Sequence, residues 1–176
     1  MPAYASLLSR RSIRKFKYDH VPDVLIEVIL RAAMAAPSTL DGQPWEFLVV
    51  RDREKHKKIM EILPRAFAFK TASVGILVLG SLRREKIPGS WVIDASCALE
   101  NMLLAAPAKG LGSVSCGIWP EQDKVAAVRE LFSLPSELVP LAVCAVGFPD
   151  EEPLFRKDRY DPARVHQEAW KEPEPS

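Results

Sequence analysis

The stretch Ala36-Pro37-Ser38-Thr39-Leu40-Asp41-Gly42-Gln43-Pro44-Trp45 separates two regular elements and decides how the first half of the chain folds. Its two prolines, its glycine and its small polar side chains interrupt any periodicity and predict a loop. Upstream, apolar residues at helical spacing over residues 22–36 predict a helix with Pro22 in its first turn. Downstream, residues 45–50 are typical of a strand. Taken alone, a loop of this composition usually does no more than turn the chain.

A second unusual stretch lies before the helix, where Arg10-Arg11-Ser12-Ile13-Arg14-Lys15 places four cations and a hydroxyl within six residues. We call these residues the basic segment, and we expect a short helix just before it. Guanidinium groups bind phosphate in a bidentate manner, and Ser12 adds a hydroxyl donor in the same turn. The segment is therefore a candidate anion site, although a solvated basic turn is the commoner explanation for such residues alone.

The rest of the chain alternates apolar runs with turn signals. Asp52 can cap a short basic helix that ends near Leu63, and Gly110 lies where the C-terminal cap of a long central helix belongs. The other predicted elements are strands over residues 74–79, 112–119 and 138–148, helices over residues 92–109 and 120–134, and a loop over residues 83–89. Helices and strands alternate only in part. This favours an α+β sandwich with a mixed sheet flanked by helices and leaves a doubly wound sheet open.

The composition limits the class of protein. Of 176 residues, 48% are apolar and 27% charged, which is typical of one soluble globular domain. A net charge of +1 argues against a broad surface for nucleic acid or an acidic membrane. No stretch approaches the roughly 20 apolar residues that cross a bilayer. Cys97, Cys116 and Cys144 are odd in number and far apart, which fits reduced thiols, and the N-terminus lacks a secretory pattern. We therefore expect a cytoplasmic protein.

The histidines predict no metal site. His20, His56 and His166 lie far apart in the sequence and have no carboxylate or cysteine partners at ligand spacing. We interpret them as ordinary surface residues.

The two stretches together resemble the nitroreductase family, in which Arg-Arg-Ser-x-Arg near the N-terminus is followed by a helix and by Ala-Pro-Ser-x-x-Asn-x-Gln-Pro-Trp leading into a strand. They stand here in the family order and at about the family distance. The resemblance continues in the runs Gly110-Leu111-Gly112-Ser113-Val114, Gly147-Phe148-Pro149, Arg159-Tyr160-Asp161 and Val165-His166. It implies a single nitroreductase-like domain over residues 1–176, built as a three-layer sandwich with a mixed central sheet.

The resemblance also implies that FMN binds between the two subunits of a homodimer. Arg10, Arg11 and Ser12 would hold the phosphate and the ribityl chain, while Arg14 would lie by the pyrimidine edge. The loop from Pro37 to Asp41 would come from the other subunit. The residues that the resemblance assigns to FMN are Arg10, Arg11, Ser12, Arg14, Pro37, Ser38, Thr39, Leu40, Asp41, Gln43, Cys116, Gly117, Arg156 and Arg159, with Lys157 as an alternative tail cation.

Asp41 departs from the family pattern, which has Asn at this position. A carboxylate accepts hydrogen bonds but lacks the amide donor. An anion beside an electron-rich flavin edge is unfavourable. We therefore expect either that Asp41 turns away from the flavin or that the flavin potential is altered.

The composition after Pro149 changes to prolines and charges, with isolated large side chains at Phe155, Tyr160 and Trp170. A free tail is one interpretation. The spacing also suits an arm, from about residue 150 to residue 176, that crosses onto the partner subunit with aromatic anchors, and we favour the arm.

The activity implied by the resemblance is hydride transfer from NADH or NADPH, through the flavin N5 atom, to a small electron-poor acceptor such as a nitroaromatic or a quinone, by a ping-pong mechanism. No side chain is expected to act as a catalytic acid or base, and Arg14 gives electrostatic support. Two alternatives stay open: a specialised dehydrogenase or dehalogenase on the same scaffold, and a non-catalytic flavin-binding sensor or carrier. The sequence leaves open the natural acceptor and the choice between NADH and NADPH.

The loop over residues 83–89 is short where longer members of the family carry extra structure over the flavin. Trp91 and the basic residues Arg83, Arg84 and Lys86 are candidates for the rim of a substrate pocket that favours anionic or aromatic compounds. A solvated loop is the commoner explanation for such residues.

Overall fold

The computed structural model describes residues 3–153 and 159–170. Within them the chain forms the helices α1 (Ala3–Ser9), α2 (Asp23–Met34), α3 (Arg53–Ile62), α4 (Trp91–Ala108) and α5 (Gln122–Phe132). The strands are β1 (Trp45–Val50), β2 (Val74–Ser81), β3 (Gly112–Gly117) and β4 (Leu138–Gly147). Three 3-10 segments, Thr39–Asp41, Pro64–Lys70 and Pro162–Arg164, complete the described secondary structure.

The four strands form one sheet in the order β1-β2-β4-β3, and each neighbouring pair is antiparallel. All eight residues of β2 are buried, so both faces of the sheet are covered. The predicted α+β sandwich is therefore confirmed.

The sheet contains less parallel pairing than the expected mixed sheet. Among the described strands the parallel pairing is confined to one bridge, between Ser12 and Ser113, because the amides that follow turn to side-chain acceptors on Glu151 and Thr71. The antiparallel order also removes the doubly wound parallel sheet as an option for these strands.

Two glycines of β2 show how closely the layers pack. A Cβ atom at Gly80 would come within 2.0 Å of the Trp91 ring at the start of α4, on one face of the sheet. A Cβ atom at Gly75 would come within 2.7 Å of the Phe69 ring, on the opposite face. α4 thus lies directly on one face, with α2 packed against it, while α3, α5 and the 3-10 segment Pro64–Lys70 cover the other face.

The predicted boundaries agree with the structure to within two residues. Differences of two residues occur at the C-terminal ends of α2, β2 and β3 and at both ends of α5. β3 ends at Gly117 because the Ile118 and Trp119 amides both donate to the Leu141 carbonyl oxygen, at 2.9 and 3.1 Å, and the chain leaves the sheet there. No helix within the described ranges, 3–153 and 159–170, is long and apolar enough to span a bilayer.

Both predicted caps are confirmed. The Asp52 side chain accepts hydrogen bonds from the Glu54 and Lys55 amides at the start of α3. At the end of α4, Gly110 has a φ of 71°, and the next amide, that of Leu111, returns to the Ala106 carbonyl oxygen at 3.0 Å.

His56 corrects the interpretation of the histidines as surface residues. It is 1% exposed, its Nε2 lies 3.0 Å from the Val50 carbonyl oxygen, and its ring packs edge-on against Phe69. Burial, helped by the nearby Arg53, lowers the pKa of His56 below its ordinary value, so the neutral ring is favoured in the core. The burial of His56 could not be predicted from the sequence, because its contacts join three separate elements.

Candidate functional site

The basic segment is anchored to the edge of the sheet by its backbone. The Ile13 amide donates to the Ser113 carbonyl oxygen at 3.0 Å. The buried Ile13 side chain packs on Gly112, where a Cβ atom would come within 2.7 Å of it. The absence of a side chain at Gly112 therefore lets the segment approach β3.

Phe16 makes the second anchor. It is 1% exposed, and it packs on Gly147, where a Cβ atom would come within 2.9 Å of it. Ser12, just before the first anchor, is half-buried, and Arg14, between the two anchors, is exposed. The polar side chains of the segment are thus kept at the surface by the burial of its apolar ones.

A recess of about 90 Å³, which we call the oxyanion recess, opens beside the basic segment. One carboxylate oxygen of Glu151 accepts hydrogen bonds from the Arg14 amide at 2.5 Å and the Lys15 amide at 3.2 Å. This oxygen lies where two N–H groups converge beside a guanidinium, an arrangement that binds oxyanions generally. The lining residues of the oxyanion recess are Arg11, Ser12, Ile13, Arg14, Glu151, Glu152 and Pro153.

The cations of the basic segment do not all face this recess. Arg10 turns to α4, where its Nε lies 3.4 Å from a carboxylate oxygen of Glu100. Arg11 lines the recess, and its Nη1 also donates to the carbonyl oxygens of Leu8 and Arg10, at 2.8 Å each. Arg11 therefore joins the end of α1 to the recess.

The end of β3 opens on a second region. Arg14, Arg65 and Cys116 share a small recess, and an open cavity of about 500 Å³ adjoins it at Arg65 and Cys116. We call this the strand-end cavity. A Cβ atom at Gly117 would meet nothing within 4 Å, so the strand end is accessible to a ligand. The cavity is lined by Leu63, Pro64, Arg65, Cys116, Gly117, Trp119, Glu121 and Lys124.

Cys116 is a neutral group in this cavity. Burial raises the pKa of its thiol, and the nearby charges of Lys124 and Arg65 only partly oppose that effect. Because the thiolate is the reactive form, a protonated thiol is a poor nucleophile. The position of Cys116 therefore favours a role in contacting a ligand rather than in covalent chemistry.

The loop over residues 37–43, called the 37–43 loop below, is held in a strained conformation. Leu40, Asp41 and Gln43 have φ values of 49°, 51° and 47°, and each such residue costs on the order of 1 kcal/mol. Asp94, in the first turn of α4 and 3% exposed, accepts hydrogen bonds from the Thr39 amide at 2.9 Å and the Thr39 hydroxyl at 3.1 Å. One buried carboxylate therefore fixes the loop against α4.

Asp41, which replaces the family's Asn, is bonded within its own loop. Its Oδ1 accepts a hydrogen bond from Gln43 Nε2 at 2.8 Å, and the Gln43 amide donates to Ser38 Oγ at 3.0 Å. The amide donor that Asp41 lacks is thus present on Gln43, next to the carboxylate.

The structure brings one part of the predicted site together. Arg11, Ser12 and Arg14 share the oxyanion recess, and Arg14 continues to Cys116 and the strand-end cavity. As far as the described residues go, the 37–43 loop lines none of these three recesses.

Of the tail residues that were predicted to bind FMN, the structure describes one. Arg159 is described and exposed. Arg156, its alternative Lys157 and the aromatic anchor Phe155 lie outside the described residues.

Six of the eight residues that line the strand-end cavity were not predicted from the sequence, among them Arg65, Trp119 and Lys124, because they come from separate elements and share no motif. Sequence analysis also missed Asp94, for which a signal existed: an acidic residue in the first turn of a helix that is otherwise strongly apolar.

The hypothesis that Trp91 lines the pocket rim is wrong. Trp91 is 4% exposed and packs in the core against Gly80 and Trp119. Arg83 pairs with Glu137 at 2.6 Å. The backbone of Arg84 and the side chain of Lys86 instead lie against Gly42, where a Cβ atom would be 2.9 Å from each. The 83–89 loop therefore packs on the 37–43 loop.

Comparison with known proteins gives a consistent result. The profile described as the Nitroreductase family matches residues 7–73 and 62–148. The chain is 46% identical over 170 residues to a Methanothermobacter thermautotrophicus protein provisionally named NADH dehydrogenase/NAD(P)H nitroreductase, covering 97% of this chain and 88% of that one.

Solved structures agree in fold. A Parabacteroides distasonis protein with the same provisional name has a TM-score of 0.91 at 35% identity, covering 97% of this chain and 99% of that one. An FMN-dependent nitroreductase from Clostridium difficile has a TM-score of 0.85 at 28% identity, covering 95% and 99%.

Proposed function

The chain belongs to the nitroreductase family as an NAD(P)H-dependent flavin oxidoreductase that uses FMN, and from this premise we propose that it transfers hydride from NADH or NADPH to nitroaromatic, quinone or similar conjugated acceptors. The observation that carries the proposal is the continuity of three features: the oxyanion recess, Arg14 and the strand-end cavity. They offer, in order, a place for a phosphate, a cation and an open space for a planar ring.

The donors of the oxyanion recess suit the FMN phosphate. In this proposal the phosphate takes the place of the Glu151 carboxylate oxygen on the Arg14 and Lys15 amides, and Arg11, Ser12 and Arg14 supply further donors. FMN, when bound, supplies the two-electron redox chemistry that no side chain provides. The protein would contribute position and electrostatics, and in this proposal Arg14 is the cation at the pyrimidine edge.

Cys116 and Gly117 fit one face of the ring system. A small side chain and a glycine at an open strand end let a planar group approach the backbone closely. Donor and acceptor would use the same strand-end cavity in turn, which is the physical basis of a ping-pong mechanism.

We assign the 37–43 loop to the FMN site of the partner subunit in a homodimer. The loop lines none of the three described recesses of its own chain. Large apolar side chains are also exposed on the loop, on α1 and on α4, as expected of a surface that a partner covers. They are Tyr4, Leu7, Leu8, Leu40 and Ile93, exposed by 74, 55, 58, 75 and 68%.

The C-terminal arm, from about residue 150, extends the same interface in this proposal. Tyr160 and Trp170 are 71% and 70% exposed, and rigid aromatic side chains of this kind commonly anchor one chain on another. Arg159 would then reach the phosphate, with Arg156 as its neighbour in sequence. We also propose a cytoplasmic location, supported by three cysteines that form no disulfide.

The first experiment is an absorption spectrum of the purified protein, followed during anaerobic addition of NADH and of NADPH. We expect a flavin spectrum that either nicotinamide bleaches, and its recovery when a nitroaromatic or a quinone is added. A colourless protein that takes up no FMN would overturn the proposal. Flavin that dithionite reduces but neither nicotinamide bleaches would indicate a binding protein without this activity.

Mixing two inactive variants tests the shared site. Arg14→Ala damages the basic segment, and Asp94→Ala releases the 37–43 loop. If the loop acts on the partner's site, a mixed dimer holds one site made of two intact parts, and random mixing restores about a quarter of the normal activity. If each chain builds its own site, mixing restores nothing, and the assignment of the loop to the partner is refuted.

A further inference from the structure

Arg65 stands out in the strand-end cavity because it has no carboxylate partner among the described residues. It is exposed, and it lines both the small recess that contains Arg14 and the strand-end cavity. A guanidinium in this position faces whatever occupies the cavity.

The other charges of the cavity do not neutralise Arg65. Lys124, whose side chain is 27% exposed, forms an ion pair with Glu121. The pair is close to neutral, so the cavity carries about one net positive charge from Arg65. The same three groups act electrostatically on the Cys116 thiol, which places them around the strand end.

The cavity also has a fixed aromatic wall. Trp119 packs edge-to-face on the buried Trp91, with ring centroids 5.2 Å apart, and this contact restricts its rotation. Leu63 and Pro64 add apolar surface on the side of Arg65. A volume of about 500 Å³ is enough for a substituted aromatic ring together with part of the cofactor.

From this arrangement we infer that the strand-end cavity selects acceptors that are planar conjugated compounds bearing an anionic substituent, and that Arg65 binds that substituent. The inference rests on the proposed function, and it adds a substrate class and a specificity residue to it. An exposed ion pair of this kind contributes about 1 kcal/mol, which corresponds to about a fivefold preference.

The test compares two acceptors of similar shape, 4-nitrobenzoate and 4-nitrobenzamide, in the FMN-loaded enzyme. Their intrinsic reactivities differ, so the quantity of interest is the ratio of their kcat/KM values in each variant relative to the unmodified enzyme. We expect Arg65→Ala to lower the benzoate-to-benzamide ratio about fivefold, Arg65→Glu to lower it further, and Arg65→Lys to keep most of it. Added salt should lower the ratio in the unmodified enzyme and leave it unchanged in Arg65→Ala.

Two control variants define the effect. Lys58→Ala removes an exposed cation from α3 that lines none of the described recesses, and it should leave the ratio unchanged. Removing the whole ion pair, in the double variant Glu121→Gln with Lys124→Gln, should change the ratio less than Arg65→Ala, because the pair adds no net charge to the cavity.

The inference and the proposed function fail in different ways. If the unmodified enzyme binds FMN and is reduced by NAD(P)H, but Arg65→Ala leaves the acceptor ratio unchanged, the inference is wrong and the proposed function stands. If Arg65→Ala instead slows flavin reduction by NAD(P)H or weakens FMN binding, with no change in the ratio, Arg65 serves the donor or the cofactor, and the inference is again wrong. An unmodified protein that binds no FMN overturns both.

Discussion

The basic segment and the 37–43 loop carry the two motifs that led to the site, and the chain holds them in different ways. The basic segment is fixed by backbone hydrogen bonds to the sheet and by two buried side chains, Ile13 and Phe16. The loop is fixed mainly by one side chain, Asp94, while three of its own residues have unfavourable backbone angles. The first region can therefore lose a polar side chain without moving, whereas the second depends on one carboxylate and on its packing against the 83–89 loop.

Arg14→Ala gives the largest expected effect and acts on the first region. Because the segment is anchored at Ile13 and Phe16, the backbone should keep its place and only the cation is lost. We expect flavin reduction by NAD(P)H to slow about a hundredfold, with a smaller loss of FMN affinity. Stopped-flow bleaching and FMN titration measure the two separately. Equal losses in both would mean that Arg14 serves binding rather than the stabilisation of reduced flavin.

Asp94→Ala acts on the second region. It leaves the Thr39 amide and hydroxyl without their acceptor, and we expect the free energy of unfolding to fall by about 2 kcal/mol. FMN should also be lost, because the strained loop is released. Ser96→Ala is the matched control, since Ser96 is exposed on the same helix and its hydroxyl donates to the Val92 carbonyl oxygen within that helix. Unchanged denaturant unfolding and FMN retention in Asp94→Ala would show that the loop holds itself.

Asp41→Asn tests the charge of the loop rather than its anchor. If the loop lies against a flavin, removing the negative charge should raise the two-electron potential by about 20 mV, which corresponds to about 1 kcal/mol. A dye-linked reductive titration measures it, with Asp123→Asn in the exposed first turn of α5 as the control. A shift of the same size in both variants would mean that Asp41 has no special relation to the flavin.

Acidification gives the smallest expected effect and acts on the sheet to which the basic segment is attached. The pKa of His56 is lowered from its ordinary 6.5 by burial, so the unfolded chain binds a proton that the folded chain resists. The free energy of unfolding therefore keeps its full value above pH 6.5. It falls as the pH is lowered, by at most about 0.8 kcal/mol at pH 6.

Urea unfolding at pH 7.5 and pH 6 measures this loss. His56→Gln should remove it, and His20→Gln, which changes an exposed histidine, should keep it. If the loss persists in His56→Gln, another group causes it.

Local signals allowed much of the fold to be predicted. The caps at Asp52 and Gly110 depend on residues within a few positions of each other, and both were correct. The burial of His56 and Trp91 was missed, because it depends on Phe69 and Gly80, which only the tertiary fold brings near.

The candidate site likewise contains residues that are close in sequence, which were predicted, and residues that only the tertiary fold brings together, which were not. Arg11, Ser12 and Arg14 are close in sequence and share one recess, as a local motif permits. Arg65 and Lys124 lie far apart in sequence and meet only because the strand end, the segment after α3 and the start of α5 converge. Periodicity and spacing carry no information on such a meeting. The side-chain partners of Asp41 were equally inaccessible, since they depend on the left-handed turn of the loop.

The complete burial of β2 has a consequence for how this protein can change over evolutionary time. A strand packed on both faces leaves no room for recognition there, so ligand contacts are confined to strand ends and peripheral segments. Substitutions of exposed residues at those places, such as Arg65, leave core packing unaltered. Ligand preference can therefore change through single substitutions that are selected for their effect on activity alone. Such substitutions need no compensating substitution in the core.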